Sequence, residues 1–530
     1  MLLSLFAGAL GFSRPNNLSR TPPMGFMSWM TFRCGTDCVA NPTTCISEAL
    51  YREQADALVS GGFLAAGYDT IHLDDCIVAK QRNSTTQRLE ADPIRFPSGF
   101  AALGSYLHDR GVKFGVYTAI SSTTCGGYPG SKGFEQLDAD TFSEAGADYI
   151  KADGCGDPAY YPLGYPALGA ALQATGRDIV YSCSWPAYLG DDEAAKPFAA
   201  FIASGCNLWR NYLDMGPTGG YAAGVLEHFG NYSRALAEWA GPGHFHDADM
   251  LLAGVEGVPE DLMQSQLALY CILALPLIMG NDLRAVSPRA RAMLLNRGAL
   301  AINQDPAGRA GVRLTAGPQQ VWLRPLANGD VAVALYNAGP PPAHPWHTPC
   351  PAFNATPGGR FVPSEPQPQG WCSPALGQDL LEWYCCNTED CAGYFFSAAT
   401  GAGCMLKDVE GGWVPGDANT TSYTKQGFIK PSGAPADVRA GVCVLPRAPT
   451  LPGLTPFQPL LPLHPYLRAQ ISFAFADVGM FTGQFAAVQV LDVFSNAVLG
   501  VTNASTFTVT GVPWQGTALL RLSAAPQRLH

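Results

Sequence analysis

The chain has 530 residues, enough for two to four domains at about 100–200 residues each. Lys and Arg number 32 against 43 Asp and Glu, a net charge of −11, so the overall basic surface that a nucleic-acid binder needs is absent. Only 14% of residues are charged and 47% are hydrophobic, which excludes a disordered chain and permits a large core; the 58 Gly, 43 Pro and 16 Cys point to many loops and to an extracytoplasmic setting.

Residues 1–11, MLLSLFAGALG, form an apolar stretch too short to span a bilayer core of about 30 Å. The stretch resembles a signal-peptide core ending in small residues, without the usual basic start, so residues 1–14 are read as a signal-peptide remnant. Sequons at Asn17, Asn83, Asn231, Asn354, Asn419 and Asn503 add weight to a secretory route, ending outside the cell or in a lysosome or vacuole.

From about residue 20 to 300, short β-rich runs alternate with helical patterns. The runs are Pro22–Trp29, Asp69–Asp75, Lys113–Ile120, Asp148–Gly154, Ile179–Trp185, Leu208–Asp214, Gly243–Leu251 and Pro276–Leu283. Between the first two, Ser47–Ser60 reads as a helix stopped by Gly61-Gly62. Phe100–Arg110 reads as another, stopped by Gly111. The apolar run from Leu267 to Gly280, broken by Pro276, reads as a buried helix leading into a strand. Such alternation over residues 19–310 matches the size of a (β/α)8 barrel, with a doubly wound sheet as the competing topology.

After Asp305-Pro306 the grammar changes. Val321–Arg324 and Asp330–Tyr336 alternate as half-buried antiparallel strands do, and similar patterns return at Gln470–Phe475, Ala487–Val493, Phe507–Val512 and Ala518–Leu522. Residues 311–340 and 445–530 therefore form an antiparallel β-sandwich. It is interrupted at 341–444 by a Pro-rich stretch with seven cysteines, read as a small disulfide-held insertion.

In a barrel, active sites form where strands end. Here strand ends hold Leu73-Asp74-Asp75-Cys76, Lys151-Ala152-Asp153-Gly154, Arg210-Asn211-Tyr212-Leu213-Asp214 and Asp247-Ala248-Asp249-Met250. Period-two geometry puts Lys151 with Asp153 on one face, and Arg210, Tyr212 and Asp214 on another. A lone strand-end Asp commonly caps a helix or closes a turn. A cluster of them with Lys, Arg, Tyr and Trp suits glycoside hydrolysis, which needs two carboxylates and an aromatic platform. His244 and His246 share a strand face, but no second ligand cluster accompanies them, so no metal and no cofactor are expected. A phosphate-cradling Gly-x-Gly-x-x-Gly and a Gly-x-Ser-x-Gly elbow are both absent.

Longer motifs carry a specific resemblance. They are Thr21–Trp29, His72–Cys76, Ala91–Pro97, Lys151–Cys155, Ser182–Tyr188, Trp209–Asp214, Gly241–Gly243 with Asp247–Met250, and Ala301–Pro306. Through residues 20–310 the chain resembles glycoside hydrolase family 27, the α-galactosidases and α-N-acetylgalactosaminidases. The resemblance implies a barrel followed by an antiparallel β domain and an exo-glycosidase that retains anomeric configuration. It implies Asp153 as nucleophile and Asp214 as acid/base. It gives Asp74 and Asp75 to the 4- and 6-hydroxyls, Lys151 to the 3- and 4-hydroxyls, and Trp29, Tyr117, Arg210, Asp249 and Met250 to the rest of the pocket.

Specificity falls on Ser182–Tyr188. Relatives that take galactose resemble Cys-Glu-Trp-Pro-Leu-Tyr there; relatives that take N-acetylgalactosamine resemble Cys-Ser-Trp-Pro-Ala-Tyr. This chain has Ser184, Ala187 and Tyr188, the second pattern. Ser and Ala leave room beside carbon 2 where Glu and Leu would clash with an acetamido group, so the pocket should favour α-N-acetylgalactosamine and still accept α-galactose. A strict α-galactosidase and a catalytically silent sugar-binding protein are the alternatives. Phe26 and Ala152 depart from the family pattern where Trp and Phe are common, and both affect packing alone. The expected partners are α-galactosides or α-N-acetylgalactosaminides of oligosaccharides, glycolipids or glycoproteins, with no nucleic acid, no membrane span and a homodimer as in relatives. The resemblance also pairs Cys34–Cys76, Cys38–Cys45, Cys125–Cys155 and Cys183–Cys206. It leaves Cys271, in an apolar run, as a free buried thiol. Cys385, Cys386, Cys391 and Cys404 of the insertion sit in a pattern that faintly resembles a PAN/apple binding module.

Overall fold

The computed structural model describes residues 17–216, 219–339, 468–475, 477 and 487–524 apart from 503 and 514, together with the backbone of strands between 353 and 425. The expected signal segment 1–14 and the cysteine pairing of the insertion lie outside the described residues. The chain divides into two compact units, residues 1–339 with 468–530, and residues 340–467.

Eight parallel strands come first: β1 Met24–Met27, β2 Thr70–His72, β3 Lys113–Ala119, β4 Tyr149–Asp153, β5 Val180–Cys183, β6 Leu208–Arg210, β7 Phe245–Asp247 and β8 Leu277–Met279. Each lies within an expected run. They pair in chain order, with β8 returning beside β1. Leu251, beyond β7, bridges to Met279 of β8 and closes the barrel. Register then sets neighbours across the wall: Tyr117 pairs with Lys151, Lys151 with Ser182, and Ala119 with Asp153. Helices cover the outside, so the strands are buried on both faces and read as apolar runs.

The helix boundaries follow from local chemistry. Ser47 accepts a hydrogen bond from the Leu50 amide and caps Glu48–Ser60, as its sequence suggests. The helix Glu260–Leu273 ends at Ala274, whose φ of 55° turns the chain into β8. This accounts for the apolar Leu267–Gly280 run. Cys271 within it is a free buried thiol, and burial pushes it up to about 12. Among the described residues, no helix is long and apolar enough to cross a membrane.

A β-sandwich follows the barrel. Its larger sheet has the strands in the order 497–502, 488–492, 517–524, 331–337, 319–325 and 312–313, and its smaller sheet pairs 468–474 with 506–513. Strand 331–337 is buried at every position, although its sheet is antiparallel. Alternation explains this. Val331, Val333 and Leu335 pack with Ile471, Phe473 and Leu520 inside the sandwich. Ala332, Ala334 and Tyr336, with Trp322 and Leu519, pack into the barrel's own core. The sandwich thus has two buried faces, one of them on the barrel. Hydrogen bonds reinforce the seam: Ser265 Oγ donates to the Gln515 carbonyl (2.5 Å) and Arg324 Nη1 to the Cys271 carbonyl (2.6 Å).

The second unit has an antiparallel sheet with the strands in the order Phe353–Pro357, Thr420–Lys425, Gly393–Ser397, Gly403–Leu406 and Cys372–Ser373. A two-stranded ribbon pairs Gly359–Phe361 with Trp413–Pro415.

Trp322 is fully buried on the barrel-facing side. Trp322→Ala should cost about 3–5 kcal/mol, read as a lower midpoint in urea unfolding of the full chain. A midpoint unchanged from wild type would contradict the two-faced packing.

Candidate active site

The strand-end acids converge at one mouth of the barrel. Asp153, the last residue of β4, has both oxygens engaged. Tyr117 Oη of β3 donates to Oδ2 at 2.8 Å, and Ser184 Oγ, just past β5, donates to Oδ1 at 2.5 Å. Burial and then the Asp153 charge push the Tyr117 phenol well above its ordinary range, so it stays a donor. Lys151 Nζ lies 3.7 Å from Asp153 but only 2.8 Å from Asp74 Oδ2. Its closer partner is thus across the barrel, not its neighbour on β4. Burial works against the Lys151 charge, but Asp153 and Asp74 outweigh it and raise it well above the usual lysine range.

Asp74 and Asp75 follow β2. Asp74 Oδ1 accepts from the Asp75 amide (2.8 Å). Asp75 uses Oδ1 on the Cys76 amide (2.6 Å) and Oδ2 on the Gly126 amide (2.6 Å), tying the β2 end to the loop after β3. Trp29, half-buried beyond β1, has the Arg33 guanidinium 5.8 Å from its ring centre.

One expectation needs correction. Arg210, Tyr212 and Asp214 do not share a strand face, because β6 stops at Arg210. Tyr212 instead lies flat on His228, with ring centres 3.7 Å apart. Asp214 is brought back by Arg210, whose Nη2 donates to its Oδ1 at 2.9 Å and to the Leu213 carbonyl at 3.2 Å. Arg210 Nη1 also faces Asp249 Oδ1 at 3.3 Å. Asp249 accepts from the Met215 amide at 2.6 Å, which closes the loop. Desolvation in the crowded pocket raises Asp214, but Arg210 and then Lys151 prevail and hold it below the usual carboxylate range. With 41% of its side chain exposed, Asp214 is the open acid of the group; Asp153 keeps 16%.

The backbone is strained where it must turn. Cys76, Cys155 and Asp249, each just past a strand-end acid, have φ of 72°, 57° and 78°. Such left-handed conformations cost on the order of 1–3 kcal/mol for residues other than glycine and cluster at functional sites. Disulfides anchor two of them, Cys34–Cys76 and Cys125–Cys155; Cys38–Cys45 and Cys183–Cys206 are also formed. Gly154, between Asp153 and Cys155, cannot be replaced freely. A Cβ there would lie 2.4 Å from Tyr161 Oη and 2.7 Å from the Tyr188 ring.

The segment expected to set specificity, Ser182–Tyr188, lies at the same mouth. Ser184 is buried, Ala187 is half-buried, and Tyr188 is 38% exposed against Tyr161. Met250 is buried. The two histidines considered as ligands are engaged elsewhere. His244 Nδ1 donates to the Trp239 carbonyl (2.8 Å), and His246 Nδ1 accepts from Trp209 Nε1 (2.9 Å). Burial pushes His246 down to about 4, so it is neutral. The sequence reading missed a buried cluster behind Asp214, made by Glu193, Lys196, Asn211 and His228. These residues are scattered over 36 positions with no motif to join them.

Comparison with known proteins gives a consistent picture. Residues 21–305 match the sequence family described as alpha galactosidase A, and residues 316–357 match the alpha galactosidase C-terminal beta sandwich domain. The chain is similar to the alpha-galactosidase A of Homo sapiens, 42% identical over 325 residues, covering 61% of this chain and 75% of that protein. It is also similar to the alpha-N-acetylgalactosaminidase of Gallus gallus, 44% identical over 328 residues, covering 61% and 80%. Among solved structures, alpha-galactosidase I from Mortierella vinacea shares the fold at a TM-score of 0.64, with 22% identity over 97% of this chain and 100% of that one.

Burial raises Asp74 and Asp247 from the ordinary 3.8 to about 6. The folded chain therefore holds protons that the unfolded chain releases. Stability present at low pH is lost as pH rises through about 6. Asp247→Asn, a permanently neutral stand-in, should match wild type only below the unfolded carboxyl's own range, near about pH 3.5. It should exceed wild type by about 1–3 kcal/mol near about pH 7.5, read by thermal unfolding at both values. Equal stability at the higher pH would contradict the raised carboxyl.

Proposed function

The chain belongs to glycoside hydrolase family 27, the alpha galactosidase A family, and from that premise we propose how its strand-end acids divide the work. It is a glycoside hydrolase of the α-galactosidase and α-N-acetylgalactosaminidase type. We assign Asp153 as the nucleophile and Asp214 as the acid/base. The observation that carries the assignment is their contrasting surroundings. Asp153 is gripped at both oxygens by Tyr117 and Ser184 with Lys151 beside it, while Asp214 is open to solvent.

The reaction runs in two displacements. Asp153 bonds to the anomeric carbon as the glycosidic bond breaks, and Asp214 gives its proton to the departing oxygen. Asp214 then takes a proton from water, the water oxygen bonds to the anomeric carbon, and Asp153 is released with configuration retained. Asp214 is ionised at rest under the Arg210 charge. A bound sugar removes water from the pocket and raises the proton affinity of Asp214, which takes up a proton from solvent before the glycosidic bond breaks; esterification then removes the negative charge of Asp153 and lowers that affinity again for the base step.

Asp74 and Asp75 hold the 4- and 6-hydroxyls, and the axial 4-hydroxyl selects galacto sugars. Lys151 reaches the 3- and 4-hydroxyls, Trp29 packs on the ring, and Tyr117, Arg210, Asp249 and Met250 complete the pocket. Ser184, Ala187 and Tyr188 surround carbon 2, where the two small side chains leave space for an acetamido group. The preferred substrate is therefore a terminal α-N-acetylgalactosaminide of an oligosaccharide, glycolipid or glycoprotein, with α-galactosides also cleaved. The four disulfides support a secretory route, to the exterior or to a lysosome or vacuole. We read residues 19–310 as the catalytic barrel, 311–340 with 445–530 as the sandwich and 341–444 as an inserted PAN/apple-like binding module. The family resemblance extends the proposal to a homodimer.

Asp153→Asn should lower kcat on p-nitrophenyl α-glycosides at least about 10³-fold with the fold intact. Retention of more than a tenth of the activity would remove Asp153 from its role. The wild type should show the higher kcat/KM on the α-N-acetylgalactosaminide. Ser184→Glu with Ala187→Leu should move the ratio toward the galactoside by about 10- to 100-fold. A wild-type preference for galactoside would make the enzyme a strict α-galactosidase instead.

A further inference from the structure

A charged cluster lies behind the site, where the segment between β5 and β6 meets the residue after β6 and the helix Gly219–Ala237. Glu193, Lys196, Asn211 and His228 are all buried. Both Glu193 oxygens are in use. Oε1 accepts from Lys196 Nζ at 2.7 Å and from His228 Nε2 at 2.9 Å; Oε2 accepts from Asn211 Nδ2 at 2.9 Å. Lys196 Nζ also donates to the Asn211 carbonyl at 2.6 Å. His228 in turn stacks on Tyr212 with 6° between the ring planes. Burial would raise Glu193, but the His228 hydrogen bond and the Lys196 charge prevail and hold it below the usual range.

An ion pair this deep adds little to stability, since apolar side chains of the same volume would serve as well. What distinguishes it is where it grips. Asn211 and Tyr212 are the residues between Arg210 and Asp214. From the mouth side, Arg210 holds Leu213 and Asp214; from behind, Glu193 holds Asn211 directly and Tyr212 through His228. The segment Glu193–Lys196 also continues the one that carries Ser184, Ala187 and Tyr188. The specificity loop and the Asp214 loop thus share one anchor.

We propose that Glu193 is a positioning residue for the proton transfer, fixing the loop that presents Asp214 to the leaving oxygen. The proposal rests on the acid/base assignment of Asp214. Its chemistry is specific. A proton must reach the departing oxygen as the glycosidic bond breaks when that oxygen leaves as a poor alkoxide. It is scarcely needed when the oxygen leaves as a stable phenolate. A displaced Asp214 therefore penalises poor leaving groups selectively, which a general loosening of the fold does not.

The test uses the full chain and three α-galactosides with 2,4-dinitrophenyl, 4-nitrophenyl and methyl leaving groups. Because kcat/KM reports steps only through the first displacement, it isolates protonation of the leaving group. Glu193→Gln should lower kcat/KM about tenfold or more on the methyl glycoside and less than about threefold on the dinitrophenyl glycoside. His228→Phe keeps the ring on Tyr212 and removes the hydrogen bond, and should give the same gradient more weakly. If Glu193→Gln does not fold, His228→Phe decides alone. Asp214→Ala is the reference and should give the steepest gradient. A gradient in Asp214→Ala, with a uniform loss or none in the other two, overturns the role of Glu193 and leaves the acid/base assignment standing. Absence of a gradient in Asp214→Ala overturns both.

Discussion

The site depends on charge balance in a place where water is scarce. Asp74, Asp153, Asp214 and Asp249 crowd one barrel mouth, and like charges at such spacing resist joint ionisation. Two buried cations make the crowd tolerable. Lys151 lies between Asp74 and Asp153, and Arg210 lies between Asp214 and Asp249. Neither cation is solvated to any extent, so each owes its charge to the carboxylates around it. The balance is incomplete at Asp74, which burial lifts to about 6. The pocket therefore carries Asp74, which titrates near neutrality, beside Asp214, which Arg210 holds below the usual carboxylate range.

That balance requires the carboxylates to stay put, and the surrounding backbone is built to hold them. The chain leaves β2 and β4 through left-handed residues that are also disulfide-bonded, Cys76 and Cys155. Asp75 spends both oxygens on amides, one of them Gly126 in the loop that carries Cys125. Its first duty is thus to bind the β2 and β3 loops together. At β6 no disulfide follows the strand. There the loop is held by side chains, with Arg210 in front and the Glu193 cluster behind. The sandwich packs against the barrel through Trp322 and Tyr336.

Much of this was legible in the sequence, for identifiable reasons. Parallel strands buried on both faces leave apolar runs, and all eight barrel strands fall inside such runs. Ser47 announces a helix because a cap is a local device. In the sandwich, alternation located six strands; Val312–Arg313 was too short to register, and Ala497–Thr502, an exposed edge, lacks a polar face. The disulfide partners came only through family resemblance, since spacing alone leaves many pairings open. The site's remaining errors share one cause. Period-two reasoning holds only while the chain is a strand, and β6 ends four residues before Asp214. Past that point, position is set by contacts distant in sequence. Lys151 to Asp74, 77 residues away, and His228 to Glu193, 35 away, leave no periodic trace.

The proposed mechanism turns on a covalent intermediate at Asp153. The most direct measurement is to trap that intermediate with a 5-fluoro-α-galactosyl fluoride, digest the protein and locate the added sugar by mass spectrometry. One label is expected, on Asp153 within Lys151-Ala152-Asp153-Gly154, and it discharges as the enzyme recovers activity. A label on another carboxylate, or turnover with inverted configuration and no covalent label, would contradict that mechanism.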